Sequence, residues 1–227
     1  MLLGGLQKLS LIDFPDKISC IVWVMPCNFR CPYCYNPDLV HAVAKPISET
    51  EFFKFLGTRK GLVDGVVVTG GEPLIQKDIE QFLNQIKKHG FLVKLDTNGS
   101  NPALLKRLTQ AKLIDYIAMD IKAPHHRYQE VTEAEVDTNT LKQTITYIMG
   151  SGIDYEFRTT VVPGLVEKED IVEIARNIKG AKKYVIQAYY PSETLDAKYA
   201  NIKPHSSKQL KDMCDAAKPF VGNCSIR

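Results

Sequence analysis

Three cysteines crowd into eight positions of this chain, Cys27-Asn-Phe-Arg-Cys31-Pro-Tyr-Cys34. Three thiolates on one short loop suit three corners of an iron–sulfur cubane, whose usual protein ligands are cysteines. A complete set for a 4Fe–4S centre would need a fourth. The remaining cysteines, Cys20, Cys214 and Cys224, form no second ligand-spaced group. A fourth iron is therefore expected to be open to a ligand that is not protein. Structural zinc usually takes four ligands in two paired sets, and no second Cys-x-x-Cys or His pair occurs. A plain electron carrier would want the full ligand set.

Three further polar motifs recur after apolar runs. The first is Thr69-Gly70-Gly71-Glu72-Pro73, in which glycines let backbone approach a neighbour closely. The second is Asp96-Thr97-Asn98-Gly99, and the third is Asp120-Ile121-Lys122. Each also has an ordinary structural reading. The first two are compatible with simple turns, and the third with a surface ion pair of little energetic consequence. Alternation puts Asp120 and Lys122 on one side of a strand. Arg158 lies in a later apolar run, where a buried guanidinium requires a carboxylate partner such as Asp120. Trp23 and Phe29 read as packing residues.

The elements that must carry these residues alternate. Strands are expected at 18–24, 65–69, 91–95, 115–120, 155–162 and 184–188. Helices are expected at 48–60, 78–89, 102–111, 138–149, 168–178 and 206–219, with a last short strand near 224–227. Ser48 and Glu51 have capping-box spacing, and glycines at 90, 150 and 180 mark helix ends. Six strand–helix units imply a parallel sheet with right-handed crossovers. They are too few for a closed eight-fold barrel, so the expected fold is α/β, a partial (β/α)6 barrel. Chemistry is expected at the C-terminal ends of its strands. The segment His125–Asp137 reads as a polar, mobile connection. No domain boundary is evident, so residues 1–227 read as one domain with a short extension over 1–17.

The totals exclude some classes. A net charge of +3 with interspersed charges argues against nucleic acid. Hydrophobic residues at 44% and charged residues at 24% are ordinary for a globular protein. No apolar stretch approaches a membrane span, and the N-terminus lacks the pattern of a signal peptide. A cytoplasmic location is expected, where clustered cysteines favour metal over disulfide.

The Cys-x3-Cys-x2-Cys spacing, with Tyr33 just before the third cysteine, resembles the signature of the radical S-adenosylmethionine (SAM) superfamily. The stretch GGLQKLSLIDFPDKISC…CNFRCPYCYNPDL is similar to the activating proteins of anaerobic ribonucleoside-triphosphate reductase, and the later motifs fall in the same order. Pro26 stands where those proteins usually carry Gly, and Tyr35 where many have His.

The resemblance implies an oxidoreductase in which Cys27, Cys31 and Cys34 hold a 4Fe–4S cluster. It implies that SAM chelates the open iron and is cleaved to methionine and a 5′-deoxyadenosyl radical. Gly70, Gly71, Glu72 and Pro73 would then bind the SAM amino group. Asp96, Thr97 and Asn98 would lie at the SAM end, with Asp96 and Thr97 able to hold a monovalent cation. Lys122 would meet the SAM carboxylate, Asp120 would orient it, and Tyr33 would stack on adenine. Arg158 either touches SAM or braces its neighbours. A family His that helps bind SAM is replaced here by Tyr189 and Tyr190. The implied partners are a glycyl-radical reductase and a flavodoxin or ferredoxin. The alternative is action on a small molecule, in cofactor or modified-base synthesis.

Overall fold

Ser48 shows how the helices of this chain begin. Its hydroxyl accepts from the Glu51 amide while the Glu51 carboxylate accepts from the Ser48 amide. Two otherwise unpaired donors are satisfied at once, which is worth about 1 kcal/mol. The computed structural model describes all residues, 1–227. Its strands, β1 to β8, follow one another in the sheet in chain order. Two compact units are distinguished, Met1–Asn28 with Asp38–Ile117, and Phe29–Pro37 with Ala118–Arg227.

In the first unit, β1 (Leu3–Ser10) runs antiparallel to β2 (Ser19–Val24). A short helix α1 (Pro37–Val40), which begins at the border of the units, and α2 (Glu49–Gly57) follow. Then come β3 (Gly65–Gly70), α3 (Ile79–Lys88), β4 (Leu92–Thr97) and α4 (Pro102–Gln110). β2, β3 and β4 are parallel, with Ile21 opposite Val67 and Val67 opposite Lys94. β2 and β3 are buried along nearly their whole length. That is why they read as continuous apolar runs rather than alternating ones. α3 turns Ile79, Phe82, Leu83 and Ile86 inward. Phe14, Ile21, Val67 and Tyr116 form an apolar cluster against which Trp23 and Leu92 pack.

β5 (Tyr116–Asp120) leads into the second unit. It continues with α5 (Tyr128–Thr132), α6 (Thr138–Gly150), β6 (Asp154–Val161) and α7 (Lys168–Asn177). β7 (Tyr184–Ala188), α8 (Ser207–Ala217) and β8 (Cys224–Ile226) complete it. β6, β7 and β8 are parallel. Tyr184 donates to Thr159, which donates to the Ile121 carbonyl, so two buried hydroxyls are satisfied in series.

The structure departs from the sequence reading at three places. The short extension over 1–17, for which the sequence reading expects no strand, contains an antiparallel strand at residues 3–10. The connection His125–Asp137 carries a 3-10 turn at His125–Arg127 and then α5. It is held by Arg127, which donates to Asp170 at 2.7 Å and to Glu130. α6 continues through Gly150, with Ser151 as its cap. No helix is long and apolar enough to cross a membrane.

Candidate active site

The first unit presents the entry to the cysteine loop. β2 ends at Val24, and a cis Met25–Pro26 peptide precedes Cys27. The Val24 carbonyl accepts from the Gly71 amide at 2.7 Å, and the Pro26 carbonyl accepts from the Glu72 amide at 3.1 Å. Gln76 Nε2 also donates to Pro26, at 3.2 Å. The two backbones are so close that a Cβ on Gly71 would lie 2.3 Å from the Pro26 oxygen. Gly70 sits at φ +120°, a region L side chains rarely adopt. These glycines let the turn clasp the backbone that delivers Cys27. Pro73 opens a 3-10 turn over Pro73–Ile75.

Glu72 is 1% exposed. Its carboxylate accepts from the Leu74 amide at 2.9 Å, from Thr97 Oγ1 at 2.6 Å and from the Asn98 amide at 2.7 Å. It thereby ties the end of β3 to the end of β4. Asn98 reaches Asn28, the residue after Cys27, with Nδ2 donating at 2.8 Å, and Asn28 donates to Ser100 at 3.0 Å. Asn28 was not singled out by sequence. Its signal would have been its position between the first ligand and a polar strand end. Asp96 accepts from Lys94, two residues earlier on the same face of β4. Lys94 is fully buried, 6.0 Å from the Tyr116 ring. It too was missed, because one lysine in FLVKL looks like a solvated strand residue.

The second unit carries Cys31, Tyr33 and Cys34. The Cys34 amide donates to the Cys31 carbonyl at 3.0 Å, closing a tight turn. Asp196 and Leu195 amides donate to the carbonyls of Pro32 and Cys34, at 2.8 and 3.0 Å. The Arg30 amide donates to Thr132 at 2.9 Å, and Phe29 packs edge-on against Tyr128. The loop is fixed through its backbone. Cys31 is buried and Cys34 partly exposed. Tyr33 is 4% exposed, and its hydroxyl has no hydrogen-bond partner in the protein. Burial first, and then the neighbouring Cys31, push that phenol well above its ordinary pKa. Tyr35 stacks on Tyr189 at 5.6 Å, and its hydroxyl accepts from the Tyr190 amide. Burial pushes Tyr35 up to about 12.

Asp120 lies between two cations. Arg158 Nε donates to Oδ1 at 2.7 Å, and Lys122 Nζ donates to Oδ2 at 3.1 Å. Burial alone would raise the Asp120 carboxyl, but Arg158 and then Lys122 outweigh it and hold it well below the carboxylate range. For Lys122, burial favours the neutral amine. Asp120 first, then Tyr33 and Cys31, reverse this and keep the ammonium charged. Nearby, Arg227 makes a two-pronged pair with buried Glu156. Neither of that pair was anticipated from sequence.

The structure thus groups Gly70, Gly71, Glu72, Pro73, Asp96, Thr97 and Asn98 at strand ends of the first unit, with Cys27. It groups Asp120, Lys122, Arg158 and Tyr33 in the second, with Cys31 and Cys34.

The sequence profile of the radical SAM superfamily matches residues 26–178. The chain belongs to the radical SAM superfamily. A Methanocaldococcus jannaschii protein, provisionally named a glycyl-radical enzyme activating enzyme, is 32% identical over all of this chain and 95% of its own length. The pyruvate formate-lyase-activating enzyme of Clostridium pasteurianum is 26% identical over 92% of this chain and 93% of its own. Among solved structures, Streptococcus suis SuiB bound to S-adenosylmethionine superposes with a TM-score of 0.66. It is 16% identical and covers 91% of this chain and 48% of SuiB. The fold is accordingly α/β, the partial (β/α)6 barrel of radical SAM enzymes.

Membership of the superfamily implies a 4Fe–4S cluster and SAM. The residues present fit both. None of the three loop cysteines is in a disulfide. Three cysteine thiols on one short loop, with no fourth ligand-spaced cysteine, are the donor chemistry that iron–sulfur clusters take. The unpartnered Tyr33 hydroxyl is a buried polar atom that a bound group would satisfy.

Proposed function

We propose that this protein activates a glycyl-radical enzyme, specifically an anaerobic ribonucleoside-triphosphate reductase. The observation that carries the activase reading is likeness along the whole chain to a protein named as an activating enzyme. Cys27, Cys31 and Cys34 would hold a cluster that, with SAM, would supply the radical chemistry for removing a hydrogen atom from a backbone glycine of the partner.

The chain's own residues bind and orient. Cys27, Cys31 and Cys34 are the cluster ligands. The Gly70–Pro73 turn fixes the backbone ahead of Cys27 and faces the SAM amino end. Asp96, Thr97 and Asn98 border SAM in the first unit. In the second, Lys122 meets the SAM carboxylate, and Asp120 holds that ammonium charged and in place. Arg158 braces Asp120, a role that its 2.7 Å hydrogen bond from Nε supports. Tyr33 offers a ring face to adenine. Flavodoxin or ferredoxin would supply the electron, in the cytoplasm. Residues 1–227 act as one catalytic domain.

The test is electron paramagnetic resonance on anaerobic mixtures of reduced enzyme, SAM and the purified reductase. A glycyl doublet growing with incubation time is expected. No doublet, with deoxyadenosine still formed, would contradict the activase role and favour a small-molecule hydrogen donor.

A further inference from the structure

If SAM lies beside Asp96 as proposed, its carboxylate and that of Asp96 are like charges at short range, and a cation is needed to balance them. Asp96 and Thr97 are the residues that resemble a monovalent-cation site, and in this chain they do not fit one. Lys94 and Asp96 alternate onto one face of β4, and the register puts Lys94 in a row with Val67 and Ile21. The lysine is 0% exposed, and its ammonium donates to Asp96 Oδ1 over the Tyr116 ring. An ammonium seated on a carboxylate repels a second cation at that carboxylate at short range, and burial leaves the repulsion poorly screened.

Thr97 is committed as well. Its hydroxyl donates to Glu72 at 2.6 Å and accepts from the Gly99 amide at 3.0 Å. A hydroxyl has one proton and two lone pairs, so a single lone pair is left. Lys94 stands at Asp96 where a sodium or potassium ion would bind, and Thr97 keeps only a single lone pair to offer one.

We infer that Lys94 is a built-in cation, which neutralises Asp96 and makes SAM binding independent of monovalent metal ions. Lys94 is a positioning residue, acting on SAM through Asp96. The inference rests on the reading that Asp96 and Thr97 border SAM.

The experiment is calorimetric titration of SAM into anaerobically reconstituted holoenzyme. Potassium, sodium or tetramethylammonium chloride is used at equal ionic strength. The wild-type dissociation constant should agree within about twofold in all three salts. Lys94→Met should weaken binding by more than about tenfold in tetramethylammonium and regain affinity in potassium or sodium, which can enter the vacated place. Lys94→Arg keeps the charge and should remain indifferent to the salt.

Wild-type affinity that falls about tenfold when potassium and sodium are withdrawn would overturn the inference. So would a Lys94→Met variant that binds SAM like wild type in tetramethylammonium. If Lys94→Met does not fold, the wild-type salt series decides alone. If wild type binds no SAM in any salt, the SAM-site reading itself falls, a different result from cation dependence.

Discussion

Arg158 and Asp120 are joined by a 2.7 Å charge-assisted hydrogen bond from Nε to Oδ1, while Lys122 holds the other oxygen. The trio sets a pH dependence. Asp120 has its folded pKa depressed, so its stabilising contribution is present above the unfolded carboxyl value and lost as pH falls through the folded one. Lys122 has its folded pKa raised, so its contribution is present below the unfolded ammonium value and lost as pH rises through the folded one. Apoprotein stability from this trio should therefore be flat from about pH 5 to 9, falling below about pH 4 and above about pH 10.5. Asp120→Asn should cost about 2 kcal/mol at neutral pH and remove the trio's part of the acid limb. Urea midpoints across the pH range check both. An unchanged acid limb in the variant would contradict the assignment.

A methyl group on Gly71 has nowhere to go. Its Cβ would lie 2.3 Å from the Pro26 oxygen and 2.9 Å from the Cys27 amide, both backbone atoms. Gly71→Ala should destabilise the apoprotein by about 1–3 kcal/mol and lower iron retention per folded chain. Wild-type iron content and wild-type stability together would show that the turn does not position the loop.

Glu72 is a buried bracket between two strand ends. Glu72→Gln keeps its size but exchanges one acceptor oxygen for a donor facing other donors. A loss of about 1–3 kcal/mol is expected. Thr97→Val removes one of the same bonds and should cost less, about 1–2 kcal/mol. Chemical denaturation of both single variants and the double would show non-additive losses, since the two share a hydrogen bond. Strict additivity would mean the 2.6 Å contact contributes little.

Much of this site was legible because strand ends carry it. GVVVT, FLVKL and DYIAM each stop at the residues that turn polar, so the motifs and their positions came out together. The Ser48–Glu51 capping box was equally plain, since spacing alone defines it. β1 was not, because LGGLQKLS has two glycines and no β-branched residue; what makes it a strand is pairing with β2. α5 spans five residues and is stabilised by distant partners of its neighbours, Arg127 to Asp170 among them. The buried charges Lys94 and Glu156 escaped for a related reason. Each is tolerable only beside a partner, and for Glu156 that partner is Arg227, 71 residues away. A single sequence does not show such pairings.

Cys31 is buried, and backbone hydrogen bonds fix the loop that holds it. Cys31→Ala should leave apoprotein stability within about 1 kcal/mol of wild type while abolishing the cluster's visible absorbance and all deoxyadenosine formation. Wild-type deoxyadenosine yields from that variant would remove Cys31 from the ligand set.

The central claim is a cubane held by three thiolates and engaged by SAM. Electron–nuclear double resonance on the reduced, reconstituted enzyme with 15N- and 17O-labelled SAM addresses it most directly. The account predicts hyperfine coupling of both labels to a cluster of about four irons, coupling that disappears when unlabelled SAM is substituted. A cluster with no coupling to SAM, or a preparation whose bound metal is zinc, would contradict it.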